Sequence, residues 1–450
     1  MSIHLIVLAA GEGSRMESDQ PKVLHEIAGA PMLAHALSVA HAFETGKQIV
    51  VVGHQGDAVR SAALAIDEQI NVVEQSEQLG TAHAVRMAAP ALEGETGDAV
   101  VLFGDTPFIR SETLQTMIDA RANGADIVVL GFNASDPGRY GRLVTDGAKL
   151  TRIVEWKDAT AVERAITLCN SGVIMADAAT LMRLVAAVTN DNAAGEYYLT
   201  DIVALGHSEG LSSSVVTCDE AETLGINTRA DLAAAETVFQ TRARAAALQN
   251  GITLQAPETV YFSHDTVIGR DAVIEPNVVF GPGVTVESKA RIRAFSHLEG
   301  CHVGASAIVG PYARLRPGTE LSNDVKIGNF VEVKNAQIAD GAKVNHLSYV
   351  GDATIGAETN VGAGTITCNY DGVFKHKTAI GERVFIGSNT MLVAPVTVGD
   401  DAMTATGTVI TSDVPDGDMA IGRAKQVNKP GLARRLFQKL RAAKAAKSKG

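Results

Sequence analysis

The chain has few cysteines, and they are scattered. Cys169, Cys218, Cys301 and Cys368 include no CxxC pair. Their spacing suggests neither a disulfide framework nor a thiolate metal site, and reduced thiols in a cytoplasmic protein are expected. No apolar run approaches the length of a bilayer span, so no stable membrane association is expected. The N-terminus has no charged leader, and the apolar stretch Ile3 to Ala10 is too short and too strand-like for a signal peptide. Positive charge is also scarce: the formal net charge is −12, which argues against a nucleic-acid partner. The exception is Arg434 to Lys449, with seven Lys or Arg and no acid, expected to be a solvated, frayed terminus. No Gly-Lys-Ser/Thr follows the first glycine-rich turn, and Met16 stands where a dinucleotide fingerprint needs its last glycine. No Ser or Cys arrangement suggests a covalent nucleophile. At 450 residues, two or three domains are expected.

What the chain does have is a period of six. From about Tyr261 to Thr411 an aliphatic residue keeps returning: Ile268, Ile274, Phe280, Val286, Ile292 and Leu298, then Val303, Val309, Leu315, Leu321, Ile327 and Val333. Val344, Val350, Ile355 and Val361 continue it after one-residue slips. Ile380, Ile386, Leu392, Val398, the weak member Thr404 and Ile410 close it. Six matches neither a helix nor a strand. It matches a parallel β-helix of roughly eight coils, three sixes to a coil. An ordinary β-sandwich is the alternative, but it does not explain the kept phase. Glycines after the aliphatic positions, such as Gly304, Gly328 and Gly362, are read as corner residues that accept positive φ. The segment Cys368 to Lys377 interrupts the rhythm and is read as a functional loop.

Residues 1–228 alternate strand and helix patterns, which implies a parallel sheet with helices on both faces. Ligands on such sheets bind beyond the carboxyl ends of the strands. The first strand runs into Leu8-Ala9-Ala10-Gly11-Glu12-Gly13-Ser14-Arg15-Met16, followed by Pro21-Lys22. A glycine-rich turn offers N–H groups to an anion, and Arg15 and Lys22 add the positive charge that phosphate chemistry needs. The strand Val100 to Phe103 delivers Asp105 to the sheet edge, where a carboxylate suits Mg²⁺. The Ala-rich residues 229–250 read as a linking helix, and 251–450 as the β-helix with its basic tail.

LAAGxGxRM followed by PK resembles the signature of the sugar-nucleotidyltransferases. The resemblance implies a Rossmann-like α/β domain in which Leu8, Ala9, Ala10, Gly11 and Lys22 hold the nucleotide. Gln75, Gly80 and Thr81 are implied to read the pyrimidine. Gly141, Glu155 and Asn170 are implied to contact the sugar. Asp105 and Asn227 are the implied Mg²⁺ ligands, with Arg15 and Lys22 assisting catalysis. Phe103 departs from a position where the family commonly has Tyr.

In the repeat region, polar segments break the aliphatic rhythm: Arg314 to Gly318, Glu332 to Lys334, Asn345 to Asp352 and Asn360 to Gly372. Together with the N-terminal segments they resemble the bifunctional N-acetylglucosamine-1-phosphate uridyltransferase/glucosamine-1-phosphate acetyltransferase family, across almost the whole chain. That family has a left-handed β-helix and assembles as a homotrimer. The resemblance implies that His346 is a general base and that Arg316, Lys334, Tyr349, Asn360 and Lys375 bind the sugar phosphate. Ala363, Asn369, Tyr370, Ser388, Thr406 and Arg423 are implied to bind acetyl-CoA, with Thr406 where Ala is familiar. Glu332 is implied to orient His346. The implied substrates are glucosamine-1-phosphate, acetyl-CoA, N-acetylglucosamine-1-phosphate and UTP; the implied product is UDP-N-acetylglucosamine, a precursor of peptidoglycan and lipopolysaccharide. Two alternatives stand beside this reading: a monofunctional nucleotidyltransferase with a structural β-helix, and a non-catalytic assembly subunit sharing both folds.

Overall fold

A computed structural model of the chain describes residues 2–147 and 149–447. They divide into two compact units: Met1–Gln249 with Tyr261–Thr266, and Asn250–Val260 with Val267–Gly450.

The first unit is built on a nine-stranded sheet. Ile3–Ala9 lies at its centre, parallel to Thr45–Val52 on one side and Asp98–Phe103 on the other. All seven of its residues are buried, because both sheet faces are covered. Ile6 and Leu8 enter one apolar core, and Leu5, Val7 and Ala9 enter the other. This alternation is the two-residue period of a strand. The sheet is mixed where a parallel one is expected. Leu168–Asp177 runs antiparallel between Asp98–Phe103 and Ile127–Asn133, and a hairpin of Arg142–Asp146 and Lys149–Val154 joins it. The hairpin and strand carry the segments read as sugar-binding.

The helix Arg229–Gln249, read from sequence as a link, packs within the first unit. Ala235 is buried with Ile27, Met32, Phe108 and Ile226. The Gln240 amide is satisfied twice by Phe262, donating to its C=O at 2.7 Å and accepting from its N–H at 2.9 Å.

The second unit is a parallel β-helix. One face has ten strands, from Thr253–Leu254 to Met419–Ala420; eight of them fall between Tyr261 and Thr411, the number of coils expected there, and one more stacks at each end. Ile274, Ile292, Val309, Ile327, Val344, Val361, Ile386 and Thr404 follow one another in register, all buried. Each such aliphatic side chain contributes about 1.5–3 kcal/mol when removed from water. Thr404 is accommodated because its hydroxyl accepts from Gly387 N–H at 2.9 Å and meets Thr390 at 3.1 Å. The other two faces merge into one fourteen-stranded sheet, because Glu332–Ile338 and Tyr349–Ile355 run through a corner.

Most of the glycines that follow the aliphatic positions do not turn the corners, Gly310 with φ of 94° being an exception. Left-handed corner residues are mostly non-glycine: Asn277, Phe295, Tyr312, Phe330 and Leu347 have φ of 50–60°. Gly304, Gly328 and Gly362 are not among the positive-φ residues. What they allow is close stacking of coils. A Cβ at Gly328 would lie 1.9 Å from Asn345 C=O, and one at Gly362 2.6 Å from Ile386 C=O.

The basic terminus is a helix, Leu432–Lys447, and not frayed chain. Its Ala, Leu, Gln, Lys and Arg are strong helix formers; Ser448 to Gly450 lie outside the described residues.

Candidate functional sites

In the first unit, Gly13 has φ of 64°, and a Cβ there would lie 2.5 Å from Lys22 Cβ. The glycine therefore lets the turn close over the lysine. The Lys22 ammonium pairs with Asp105 Oδ2 and donates to Asn227 Oδ1 at 3.2 Å. Arg15 donates to the same amide oxygen at 2.8 Å. Three further hydrogen bonds hold the backbone that carries the Asp105 and Asn227 side chains. Ile226 N–H donates to Asp105 C=O at 3.0 Å, and Asp231 accepts the N–H groups of Asn227 and Thr228 at 3.0 and 2.9 Å. Burial raises the Asp231 pKa, but these hydrogen bonds, Thr228 Oγ1 and the Arg15 charge outweigh it and hold the carboxyl low.

A cavity of about 320 Å³ opens beside this cluster. Leu8, Ala9, Ala10, Gly11, Lys22, Gln75, Gly80, Thr81 and Asp105 line it, as do Val23, Gln78, Ala84, Phe103 and Glu196. Gln75 is buried, and its amide donates to Gly80 C=O at 3.1 Å. Gly80 has φ of 118° and sits so close to Tyr197 that a Cβ would lie 2.6 Å from its C=O. The Thr81 hydroxyl accepts Leu199 N–H at 2.9 Å, which ties this wall to the next segment. Gln78 donates to Ala10 C=O at 2.8 Å and so braces the glycine-rich turn. No role was assigned to Gln78 from sequence, although it lies between Gln75 and Gly80.

Gly141, Glu155 and Asn170 form a second cluster outside the lining of that cavity. Asn170 N–H donates to Gly141 C=O at 2.9 Å, and Thr200 Oγ1 donates to Glu155 Oε1 at 3.2 Å. Burial pushes the Glu155 carboxyl up, against the Thr200 hydrogen bond. The Phe103 ring fills the space over Gly172: a Cβ there would lie 2.6 Å from the ring, at φ of 91°.

Asp105 and Asn227 offer a donor set that fits a divalent ion. A carboxylate oxygen and an amide oxygen converge on one ammonium, and both are hard ligands that suit such an ion. Among the described residues no group of three or more His, Cys, Asp or Glu gathers. Two protein ligands plus phosphate oxygens match the way Mg²⁺ is commonly held.

In the second unit, Arg316, Lys334 and Lys375 come together. Contact with and charge from Lys375 push the Lys334 ammonium down, and slight burial and Arg316 add to this. Three neighbouring cations make an anion site. Asn335 and Asn369 both donate to Asp352, the first at 2.6 Å. Burial raises Asp352, but these bonds and the Lys375 and Lys334 charges outweigh it, so the carboxyl lies below its ordinary range. Asn369 is thereby fixed with its NH₂ inward. Neither Asp352 nor Asn335 was assigned a role from sequence; the successive one-coil steps from Asn335 to Asp352 and from Asp352 to Asn369 are the signal.

His346 ends the strand Lys343–His346, and the corner Leu347-Ser348 separates it from Tyr349. Its Nδ1 meets Asn329 Oδ1 at 3.1 Å. Glu332 does not orient it: that carboxylate takes the Arg316 guanidinium at 2.8 Å. Half-buried Asn360 begins the short strand of the next coil. Ala363, Ser388, Thr406 and Arg423 succeed one another along the stack. Asn389 N–H donates to Ala363 C=O at 2.7 Å, Gly407 N–H to Ser388 C=O at 2.8 Å, and the Arg423 guanidinium to Thr406 C=O. The Thr406 side chain is exposed. Tyr370 is exposed on the loop and bridges Lys375.

Two of the thiols are kept protonated by burial. Burial pushes Cys218 and Cys301 up to about 12. No described helix is long and apolar enough to cross a membrane.

Family models match along the chain: a MobA-like NTP transferase domain at residues 5–194, a bacterial transferase hexapeptide at 265–300, and a GMPPB C-terminal domain at 298–409. Full-length relatives each carry the name Bifunctional protein GlmU. That of Dinoroseobacter shibae is 66% identical over 447 residues, 99% of each chain. That of a Ruegeria species is 65% identical over 450 residues, all of both chains. That of a Jannaschia species is 63% identical over 445 residues, 99% of this chain and 98% of its own.

Proposed function

This chain belongs to the bifunctional GlmU family, and from that premise we propose how its two transferase sites divide the synthesis of UDP-N-acetylglucosamine. The β-helix carries acetyl transfer from acetyl-CoA to glucosamine-1-phosphate. The α/β unit carries uridylyl transfer from UTP to N-acetylglucosamine-1-phosphate, releasing pyrophosphate. The boundaries are 1–228 for the uridyltransferase, 229–250 for the helix and 251–450 for the acetyltransferase.

In acetyl transfer, Arg316, Lys334 and Lys375 hold the sugar phosphate, with Tyr349 and Asn360 beside it. His346 takes a proton from the sugar amine as nitrogen attacks the thioester carbon. Asn369, turned by Asp352, presents its carbonyl oxygen to the amine. Tyr370, Ala363, Ser388, Thr406 and Arg423 hold acetyl-CoA. In uridylyl transfer, Gln75, Gly80 and Thr81 take the base, and Gly141, Glu155 and Asn170 take the sugar. Leu8 to Gly11 form the phosphate-facing turn, and Arg15 and Lys22 stabilise charge on the leaving pyrophosphate. Asp105 and Asn227 would hold Mg²⁺, which when bound offsets phosphate charge. The working form is a cytoplasmic homotrimer.

The observation that carries this reading is that the second unit holds a charge constellation of its own: Arg316, Lys334 and Lys375 together, none of them buried in the core. The test is thiol release from acetyl-CoA with glucosamine-1-phosphate and no UTP. Release by wild type and not by His346→Ala is expected. No release by folded wild type would reduce the β-helix to a scaffold and favour the monofunctional alternative.

A further inference from the structure

A neutral histidine accepts a proton only at the ring nitrogen that carries no hydrogen. A free histidine side chain prefers its hydrogen on Nε2, which leaves the exposed end of the ring unable to act as base. His346 is not free in this respect.

The strands Lys326–Asn329 and Lys343–His346 are neighbours in parallel register, with Asn329 opposite His346. Asn329 Oδ1 lies 3.1 Å from His346 Nδ1. A carbonyl oxygen accepts and cannot donate, so this contact requires the hydrogen on Nδ1. The lone pair then belongs to Nε2. The backbone holds the pair in place. Leu347 N–H donates to Asn329 C=O at 3.1 Å, while Ser348 Oγ and Gly364 N–H donate to His346 C=O at 2.8 and 3.2 Å. Asn329 is half-buried and His346 exposed, so the ring is gripped at one end and open at the other.

Among the described residues, no charged group duplicates the contact. On the packed strands, Lys326 and Lys343 face each other in register three positions earlier. The next coil contributes Asn360–Val361, which carries no charge. Across the corner, Glu332 is engaged by Arg316. A neutral amide has a specific advantage here. A carboxylate would also select Nδ1–H, but it would stabilise the imidazolium and keep the base protonated near neutral pH.

We propose that Asn329 is a positioning residue for acetyl transfer, holding His346 as the Nδ1–H tautomer so that Nε2 is the base. This rests on the reading of His346 as the general base. In the step, the amine nitrogen forms a bond to the thioester carbon and the C–S bond breaks. The amine proton passes to Nε2, and the electron pair leaves on the CoA thiolate, which is then protonated.

The test uses the full-length protein, with ¹⁵N NMR of the His346 ring and pH profiles of acetyl transfer. Wild type shows Nδ1–H. Asn329→Ala moves the hydrogen to Nε2 and lowers acetyl-transfer kcat by about 10-fold or more, a typical loss for a group that orients a histidine. KM values and uridylyl transfer hold. Asn329→Asp keeps the tautomer and moves the acidic limb of the profile up by about one unit or more, with activity regained at high pH. An Nε2–H ring in wild type, or an unchanged profile in both variants, overturns the proposal alone. If Asn329→Ala does not fold, the wild-type tautomer and the Asp profile decide. Acetyl transfer retained by His346→Ala would overturn the base reading and the proposal with it.

Discussion

The two units gather their reactive groups by different means. In the first, Asp105 and Asn227 come from parts of the chain distant from Lys22 and meet on its ammonium, and Arg15 joins at the Asn227 amide oxygen. Crossovers of the sheet bring them there, so each depends on the whole domain being folded. In the second, partners are one coil apart: Asn329 with His346, Asn335 with Asp352, and Asp352 with Asn369. A stack in which each coil touches only its neighbours places side chains by counting. The first site is thus a product of topology, and the second of period.

The largest effects should separate the two sites. His346→Ala is expected to lower acetyl transfer by about 10²–10⁴-fold, the usual weight of a general base, and to leave uridylyl transfer intact. Asp105→Ala should do the reverse, with a loss of about 10²–10³-fold, comparable to removing one electrostatic stabiliser. Separate assays of the half-reactions check both, and loss of both activities in either folded variant would break the comparison. Next in size, Gly328→Val should destabilise the second unit by about 3 kcal/mol or more, because the Cβ has only 1.9 Å to Asn345 C=O. The first unit should keep its uridylyl transfer in the same protein. Lys334→Ala should raise KM for glucosamine-1-phosphate by about tenfold, roughly one charge-assisted hydrogen bond, with KM for UTP unchanged.

The smallest effects concern two carboxylates shifted in opposite directions. Asp352 is held low in the folded state, so its stabilisation is present above the ordinary carboxylate range and is lost as pH falls through its folded value. Asp352→Asn should flatten the acid unfolding of the second unit. Glu155 is raised by burial, so stability falls as pH rises from the unfolded value through the folded one. Glu155→Gln should therefore give the first unit a small gain in Tm at neutral pH, at the expense of sugar binding. Thermal scans at several pH values check both signs.

The same contrast decides what could be read before the structure. The β-helix was legible because its core is periodic: Ile274, Ile292 and Val309 differ only in which coil they occupy. The role of its glycines was not legible, because contact between Gly328 and Asn345 is a property of stacking and leaves no local mark. Asn329, Asp352 and Asn335 escaped notice for a related reason. Each looks like an ordinary corner or strand residue until the coil above is placed on it. Glu332 was misread because sequence gives its nearness to His346 and not its pairing with Arg316. In the first unit the glycine-rich turn after the first strand was plain from its composition. The antiparallel strand Leu168–Asp177 was not, since both its sheet faces are buried and a buried strand reads alike in either direction.

The central claim, two separable sites on one chain, is tested most directly by mixing folded His346→Ala and Asp105→Ala proteins with glucosamine-1-phosphate, acetyl-CoA, UTP and Mg²⁺. The account predicts UDP-N-acetylglucosamine from the mixture and none from either variant alone. A mixture as inert as its components would contradict it.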